Sequence, residues 1–242
     1  MSKDANSDCQ ADAAAPQLSV IIPVYNESPT LHQVVDRVGK LPVSHEIVIV
    51  DDGSLDGTAE IAEKLAERPL VRAILHECNR GKGAAVRTGL ANSRGEIVVI
   101  QDADLEYDPL EIERLIQPIL RDEADVVFGS RFAGTVISDY PMTRLAANRT
   151  LTRFSNLVTG LQLSDMETCF KAMRRKVVDN LQIRENRFGV EPELTAKIAR
   201  GGWRIVEVPI TYRPRGKAAG KKIGFFDGIA AIWCILRYSR WD

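Results

Sequence analysis

Residues 97–109 read IVVIQDADLEYDP, an apolar run that ends abruptly in acidic residues. Four carboxylic acids follow within seven positions, namely Asp102, Asp104, Glu106 and Asp108. A short apolar run bounded by polar residues predicts a strand that is buried on both faces of a sheet. Two like charges about 4 Å apart repel by roughly 4 kcal/mol at an effective dielectric constant near 20. Acids crowded at the end of a buried strand therefore need a ligand or a structural role.

Comparable apolar runs alternate with segments of helical period before and after this stretch. We predict strands over 18–24, 46–50, 71–76, 96–101 and 124–129, and helices over 29–41, 56–66, 83–93 and 109–120. Buried strands separated by helices are typical of a parallel sheet that is covered on both faces. The sequence therefore predicts an α/β fold with a doubly wound, mostly parallel sheet flanked by helices. Asp56 and Asp108 are expected to cap the helices that follow them.

The second part of the chain is less regular. We predict helices over 141–160 and 191–200, strands over 169–173 and 203–212, and an amphipathic stretch over 223–241. Ligands of doubly wound sheets bind at the carboxyl ends of the strands. That rule brings residues 26–27, 51–52 and 102–104 to one rim of the sheet.

The acidic stretch is the first candidate metal site. Asp102, Asp104 and Glu106 alternate, so in an extended segment their side chains would point the same way. Hard oxygen ligands suit Mg²⁺ or Mn²⁺ better than zinc. We therefore expect a divalent ion here, which would relieve the repulsion among the carboxylates. The alternative is that these acids are solvated and that Asp108 only caps a helix.

Two further motifs lie at predicted strand ends. In VDDGSLDGT, residues 50–58, the carboxylates of Asp51 and Asp52 could accept hydrogen bonds from a nucleobase or a ribose, or could form a turn. NRGKGAAVRTGL, residues 79–90, is glycine-rich before a helix, and Lys82 could contact a nucleotide sugar or simply start that helix. The sequence matches neither a Walker A loop nor a dinucleotide fingerprint, which argues against ATP hydrolysis and dinucleotides.

Taken in order, five motifs resemble the family-2 nucleotide-diphosphosugar glycosyltransferases of the GT-A fold. They are PVYNE (23–27), DDGSLDGT (51–58), NRGKGAAVRTGL (79–90), QDADLE (101–106) and GSR (129–131). The resemblance covers about residues 18–215 and is strongest to dolichyl- and polyprenyl-phosphate sugar synthases. The segments that carry this closer resemblance are GSRF, DMETCFK (165–171), FGVEPEL (188–194) and RPRGKAAGKKIG (213–224).

The resemblance implies a metal-dependent, inverting transfer of a hexose from a GDP- or UDP-sugar to a polyprenyl phosphate of the dolichyl type. It implies nucleotide-binding roles for Pro23, Tyr25, Glu27, Asp52, Lys82 and Asp102. It implies Mg²⁺ or Mn²⁺ as cofactor, held by Asp102, Asp104 and Glu106, although related synthases often have Gln at the position of Glu106.

The resemblance also implies roles in catalysis and phosphate binding. The implied catalytic residues are Asp104, Asp165 and Arg131, the acceptor-phosphate ligands are Arg131 and Arg144, and the donor-diphosphate ligands are Arg215 and Lys222. A lipid phosphate is already anionic, so its attack needs no general base. We therefore hypothesise that Asp165 orients the site, although Asp165 and Glu167 lie where the wider family places a base. For Glu191 and Glu193 we favour a simple stabilising role in the first turn of a helix.

The charge distribution is consistent with anionic substrates. Residues 171–242 carry a formal charge of +9 and residues 1–170 a charge of −10, which suggests an anionic ligand near the C-terminal part or two solvated faces of opposite sign. The four cysteines lack metal-site spacing and a disulfide framework, so free thiols in a reducing cytoplasm are expected. We expect no nucleic-acid partner.

The chain is expected to consist of three parts. Residues 1–17 form a disordered lead without the apolar region of a signal peptide, 18–222 the catalytic domain, and 223–242 an amphipathic helix. The apolar run 229–236 is too short to cross a bilayer. The aromatic and basic residues of the whole 223–242 stretch suit peripheral contact with the cytoplasmic face of a membrane. The alternative is packing on the protein's own core, on a second copy or on a membrane-protein partner.

Two rival functions remain open at this point. A family-2 enzyme of this kind could use a saccharide acceptor in cell-wall or polysaccharide synthesis, although the QxxRW signature of processive enzymes is absent. The chain could also be a non-catalytic subunit that binds a nucleotide sugar. The presence of Asp102, Asp104 and Arg131 argues against that last reading.

Overall fold

A computed structural model of the protein describes residues 16–134, 142–215 and 225–240. The strands are β1 (Leu18–Val24), β2 (His45–Asp51), β3 (Val71–Leu75), β4 (Ile97–Ile100), β5 (Val126–Ser130), β6 (Lys171–Arg174) and β7 (Ile205–Pro209). The helices are α1 (Leu31–Val38), α2 (Thr58–Leu65), α3 (Lys82–Ala91), α4 (Ile112–Leu120), α5 (Met142–Thr159), α6 (Arg175–Val178), α7 (Val190–Arg200) and α8 (Phe225–Arg240). A 3₁₀ turn, Pro109–Glu111, precedes α4.

The seven strands form one sheet in the order β3-β2-β1-β4-β6-β5-β7. All neighbouring strands run parallel except β6, which lies antiparallel between β4 and β5. The central strands β1 and β4 are buried at every position, as their unbroken apolar sequences predict. The prediction of an α/β fold with a mostly parallel sheet is therefore confirmed.

The sheet has one rim at which its functional motifs meet. Val24 pairs with Asp51, so β1 and β2 end level with each other. The chain leaves β4 and β5 at the same rim, and β6 begins there because it runs in the opposite direction. The segments that follow four parallel strands therefore lie beside the segment that precedes β6. We call this edge the carboxyl rim.

Two glycines allow the start of α3 to lie against the segment before α7. A Cβ atom on Gly81 would collide with the carbonyl oxygen of Asn186, and one on Gly83 with that of Glu185. The amide of Ala84 donates a hydrogen bond to the Asn186 carbonyl at 3.2 Å. Gly81 also has a φ of +99°, which glycine adopts without strain. This close approach fixes the first residue of α3, Lys82, at the carboxyl rim.

The helix caps test two expectations. Asp108 caps the turn at Pro109 as expected, because its side chain accepts a hydrogen bond from the amide of Leu110. The expectation that Asp56 is the N-cap of α2 is wrong, since Gly57, with a φ of +89°, occupies that position. Asp56 still accepts a hydrogen bond from the Thr58 amide at 3.1 Å. It therefore stabilises the same turn from one residue earlier.

The C-terminal helix α8 is amphipathic, as predicted. Its buried face consists of Ala231, Cys234, Ile235 and Tyr238. This face packs on α7 and α5. Its exposed face carries three large apolar side chains, Ile229, Ile232 and Trp233. The helix therefore covers the core on one side and leaves an apolar surface on the other.

Some expectations fall outside the residues that the structure describes. They are the lead over 1–15, the domain boundary at 222–223 and the basic loop 216–222 with Lys222. Among the described residues, no helix is both long and apolar enough to cross a membrane.

Candidate active site

The segment after β4 forms a turn. The chain turns at Ala103 and Asp104, and Leu105 has a φ of +59°. The expectation of an extended segment that points three acidic side chains the same way is therefore wrong. Asp102 and Asp104 are nevertheless both buried, at 8% and 7% exposure.

Asp102 begins a buried chain of alternating charges. The Lys82 ammonium lies 3.0 Å from Oδ1 of Asp102 and 3.2 Å from Oε1 of Glu191. The other carboxylate oxygen of Glu191 pairs with the ammonium of Lys171. We call Asp102, Lys82, Glu191 and Lys171 the buried charge chain. It links the turn after β4 to α3, α7 and β6.

The surroundings of Lys82 keep it charged. Burial opposes the charge, but the carboxylates of Asp102 and Glu191 outweigh it and hold the pKa of Lys82 well above its ordinary value. Glu191 therefore does more than stabilise the first turn of α7. Glu193 is also buried, and its carboxylate accepts hydrogen bonds from the amides of Arg184 and Glu185. The expectation of a simple first-turn role is too narrow for both.

Glu106 holds the segment that follows β7. Its carboxylate accepts hydrogen bonds from the hydroxyl of Tyr212 and from the amide of Arg215, each at 2.9 Å. Asp104 accepts a hydrogen bond from the Glu106 amide at 3.1 Å. Among the described residues no group of three or more His, Cys, Asp or Glu side chains is arranged to hold a metal ion. A metal-ligand role for Glu106 thus remains a prediction.

Arg215 and Glu27, which are predicted to contact the donor, contact each other. The two guanidinium nitrogens of Arg215 lie 3.0 and 2.6 Å from the two carboxylate oxygens of Glu27. The Nε of Arg215 also donates to the carbonyl oxygen of Asp104 at 3.1 Å. Of the other predicted nucleoside ligands on β1 and the loop after it, Pro23 is buried and Tyr25 is 43% exposed. The structure thus brings the end of β1, the acidic turn and the segment after β7 together.

Asp52 fixes the turn before α3. Its carboxylate accepts hydrogen bonds from the amides of Arg80 and Gly81, at 3.0 and 2.7 Å. The Nδ1 of His76 lies 2.7 Å from the same carboxylate. Asp52 therefore holds the turn in place, and any bond to a nucleoside would be added to these contacts.

Arg131 and Asp165 form a buried bidentate ion pair. Nε and Nη2 of Arg131 lie 2.6 and 2.7 Å from the two carboxylate oxygens of Asp165. Asp165 is fully buried and also accepts from the Arg131 amide and from the Asn148 side chain. The ring of Tyr212 lies under the guanidinium, 5.3 Å from its carbon. These contacts fix the orientation of Arg131.

The roles of the remaining predicted phosphate ligands, Arg144 and Lys222, stay predictions. Arg144 lies exposed on the first turn of α5 and makes no described contact with Arg131. Lys222 is outside the described residues.

Two residues of the rim have a larger role than their sequence patterns indicated. Lys171 is fully buried, and its ammonium donates to the carbonyl oxygens of Met166 and Thr168. Burial, together with the nearby carboxylate of Glu191, raises the pKa of Glu167 to about 7. A lysine inside the apolar run TCFKAM is the sequence signal that could have indicated a buried charge pair.

The donor set at the acidic turn fits a divalent ion. Asp102 and Asp104 supply two buried carboxylates from one turn, and Mg²⁺ in proteins commonly takes one or two carboxylates and completes its shell with phosphates. The Lys82 ammonium already lies 3.0 Å from Asp102, so a divalent ion would share this carboxylate with Lys82. The chemistry of the residues therefore suits the expected Mg²⁺ or Mn²⁺.

Comparisons with known proteins agree with this geometry. The model of the family described as glycosyl transferase family 2 matches residues 19–182. The polyprenol monophosphomannose synthase of Mycolicibacterium smegmatis is 32% identical over 214 residues, which cover 85% of this chain and 80% of that protein. The undecaprenyl-phosphate mannosyltransferase of Micrococcus luteus is 31% identical over 229 residues, 91% of this chain and 92% of that protein.

A solved structure extends the likeness to the fold. The glucosyl-3-phosphoglycerate synthase of Mycobacterium tuberculosis, crystallised with Mn²⁺, uridine diphosphate and phosphoglyceric acid, superposes with a TM-score of 0.71. The alignment covers 93% of this chain and 79% of that one at 22% identity, so the likeness concerns the fold alone. The fold is thus of the GT-A type that the sequence motifs predicted.

Proposed function

This chain belongs to glycosyl transferase family 2, and we propose that it transfers a hexose from a GDP- or UDP-sugar to a polyprenyl phosphate with inversion. Family membership makes it a glycosyltransferase and removes the reading as a non-catalytic subunit. The main structural support for a phosphate acceptor is the buried ion pair of Arg131 and Asp165 at the carboxyl rim. This pair holds a guanidinium in a fixed orientation at the same rim as the acidic turn. Two relatives named for mannose transfer to lipid phosphates support the choice.

The donor half of the proposed site lies around the acidic turn. Asp102 and Asp104 would hold Mg²⁺ or Mn²⁺, which when bound neutralises a diphosphate and stabilises the leaving group. The residues proposed to bind the nucleotide sugar are Pro23, Tyr25, Glu27, Asp52, Lys82, Arg215 and Lys222. The Glu27–Arg215 contact supports this grouping, since it joins two of them directly.

The acceptor half needs no general base. Asp165 accepts hydrogen bonds from Nε and Nη2 of Arg131 and holds the guanidinium in one orientation, so a phosphate would bind through its other N–H groups. The carboxylate of Asp165 is itself engaged by Arg131 and Asn148, which supports an orienting role over proton abstraction. A phosphate oxygen is anionic without help, so positioning and charge stabilisation carry the reaction. Arg144 would add a second cation to the acceptor site.

A donor panel tests the proposal. Purified protein is given radiolabelled GDP-mannose, UDP-glucose or UDP-N-acetylglucosamine with Mn²⁺ and two acceptors, a short-chain polyprenyl phosphate and a water-soluble oligosaccharide. We expect label to enter the lipid phase with one of these donors and to remain in water when EDTA is added. Label that passes only into a water-soluble saccharide acceptor would overturn the lipid acceptor and support the rival function in polysaccharide synthesis.

We also propose that the protein contacts a membrane surface through α8. The exposed face of this helix combines Ile229, Ile232 and Trp233 with the basic residues Arg237 and Arg240 near its end. Apolar and basic residues on one helix suit the boundary between headgroups and acyl chains. Such contact would bring the rim to a lipid acceptor, with the enzyme peripheral on the cytoplasmic face.

A further inference from the structure

Glu167 lies between the two buried ion systems of the carboxyl rim. It sits in the turn that joins Asp165 to β6. The charged groups that face it are Glu191 from α7, Lys171 from β6, Arg131 from the end of β5 and Asp165 from its own turn. Its Oε1 atom is buried and has no hydrogen-bond partner within the part of the chain that the structure describes. The residue as a whole is only half-buried.

The charges around Glu167 are already matched with one another. The buried charge chain contains two carboxylates and two ammonium groups, which balance. Arg131 and Asp165 balance as a pair. An ionised Glu167 would therefore add one negative charge that no cation of its own compensates, next to Glu191. Before any metal ion binds at Asp102, a protonated Glu167 leaves the whole cluster neutral.

The unpartnered oxygen points to a missing ligand. A buried carboxyl oxygen without a partner costs roughly 1–3 kcal/mol, so such atoms usually have a functional or solvent partner. A protonated carboxyl group is a hydrogen-bond donor, and an anionic oxygen is the acceptor that suits it best. Arg131 is one of the charged groups around Glu167, so an anion bound to Arg131 would add such oxygens to the same cluster.

We propose that Glu167 acts as a protonated carboxyl group that donates a hydrogen bond to the phosphate of the acceptor bound at Arg131. This role rests on the proposed transfer to a polyprenyl phosphate and adds a second kind of contact to it. Binding of the acceptor then requires the acid form of Glu167. At a pH at which free Glu167 is ionised, binding takes up one proton, and ionisation of Glu167 weakens binding because two anions then face each other.

The direction of the pH effect follows from the burial of the group. Because burial raises the pKa of Glu167 to about 7, the group is protonated below neutral pH and ionised above it. The KM for the acceptor should therefore rise as the pH increases from 6 to 8.5. The phosphate of the acceptor titrates in a similar range, but that change is the same for every variant of the protein.

Glu167→Gln separates the two titrations, because its amide donates a hydrogen bond at every pH. We expect the ratio of wild-type KM to variant KM for a short-chain polyprenyl phosphate to increase about tenfold between pH 6 and pH 8.5, with a smaller change in the kcat ratio. Glu123→Gln, the same change at an exposed position, is the matched control and should give a constant ratio. A pH-independent ratio for Glu167→Gln would overturn the proposal.

A measurement on the wild-type protein does not depend on the folding of a variant. Calorimetric titration of a short-chain polyprenyl phosphate at pH 8, in buffers of different ionisation enthalpy, counts the protons taken up on binding. We expect uptake of close to one proton, because Glu167, with a pKa of about 7, is mostly ionised at pH 8 before the ligand binds. The ligand phosphate is already a dianion at this pH and has no proton to release. Binding without proton uptake would contradict only the proposed role of Glu167. A wild-type protein that neither binds nor glycosylates the lipid phosphate would contradict the proposed function itself.

Discussion

At the scale of single residues, the proposed acceptor site depends most on the orientation of Arg131. Its guanidinium would otherwise be a flexible cation, but Asp165 binds it through two nitrogens and Tyr212 lies against its face. A bidentate carboxylate fixes both the plane and the direction of an arginine. In the proposed acceptor site, Asp165 would thereby determine where the phosphate binds.

Replacing Asp165 with Asn should weaken acceptor binding and leave donor binding unchanged. We expect the KM for the acceptor to increase about tenfold or more, because a buried charge pair that loses one partner typically costs 3–5 kcal/mol and Arg131 must find new partners. Binding of nucleotide and Mn²⁺, measured by calorimetry, should be retained. Asp179→Asn, which changes an exposed aspartate paired only loosely with Arg175, is the control.

The result that would contradict the orienting role is equally specific. If Asp165→Asn abolished all transfer, left acceptor binding unchanged, and the wild-type rate followed the titration of one carboxylate, Asp165 would be a general base. Loss of nucleotide binding together with loss of fold, seen by circular dichroism, would instead identify a structural residue.

Glu167 should also make the stability of the protein depend on pH. Its pKa is raised from 4.5 to about 7 in the folded protein, so between these values the folded state binds more protons than the unfolded state. The free energy of unfolding should therefore fall as the pH rises from 5 to 7. Glu167→Gln removes this loss, and we expect it to stabilise the protein by on the order of 2 kcal/mol at pH 8 and much less at pH 4. Urea unfolding at the two pH values measures the difference, and equal effects at both would contradict the assignment.

At the scale of elements, the start of α3 matters most because it carries Lys82 to the rim. Its backbone lies directly against residues 185–186, and this approach requires glycine at positions 81 and 83. The same segment is tied to the C-terminal helix, since the hydroxyl of Tyr238 donates to Glu185 at 2.7 Å. Helices α3 and α8 therefore share a contact through one short loop.

Two glycine-to-alanine substitutions test whether the close approach of α3 to residues 185–186 requires glycine. Gly83→Ala places a methyl group against the Glu185 carbonyl, so we expect a loss of about 2 kcal/mol or more in the free energy of unfolding. Gly228→Ala, in α8, meets open space and should be neutral or stabilise by up to about 1 kcal/mol. Thermal unfolding of both variants provides the comparison. A similar effect of the two changes would show that the close approach is not required.

The sequence predicted elements far better than it predicted the acidic turn. The buried strands β1 and β4 are uninterrupted apolar runs, and such runs depend little on distant residues. The conformation of residues 102–106 depends on partners about a hundred positions away, because Glu106 binds Tyr212 and Arg215. Local alternation could not reveal that Leu105 adopts a positive φ. The motifs identified the rim correctly, whereas the pairings within it required the fold.

At the scale of the whole molecule, the distribution of surface types suggests how the enzyme meets its substrates. The apolar face of α8 is exposed and lies on a helix that packs on α5, which contains three arginines and no acidic residue. Along the sequence, the formal charge is −10 over residues 1–170 and +9 over residues 171–242. A lipid acceptor requires the enzyme to approach a bilayer, and this basic, apolar side is suited to it.

A single charge on α8 should weaken membrane binding. Trp233→Glu replaces an exposed side chain that we propose to insert into the interface, and we expect the fraction of protein that sediments with phosphatidylglycerol vesicles to fall at least about fivefold. Leu120→Glu, which introduces the same charge at an exposed apolar position of α4, is the control and should sediment like the wild type. Equal sedimentation of all three proteins, or no binding by the wild type, would contradict the proposed contact.

The proposed lipid-phosphate acceptor is tested most directly by comparing sugar transfer to one lipid with and without its phosphate. Radiolabelled donor, chosen from the panel above, is incubated with the enzyme, Mn²⁺ and either a short-chain polyprenyl phosphate or the matching polyprenol. We expect label to enter the lipid phase only with the polyprenyl phosphate, and Asp165→Asn to lower this transfer far more than Asp179→Asn. Equal labelling of the polyprenol, or transfer to neither lipid, would contradict it.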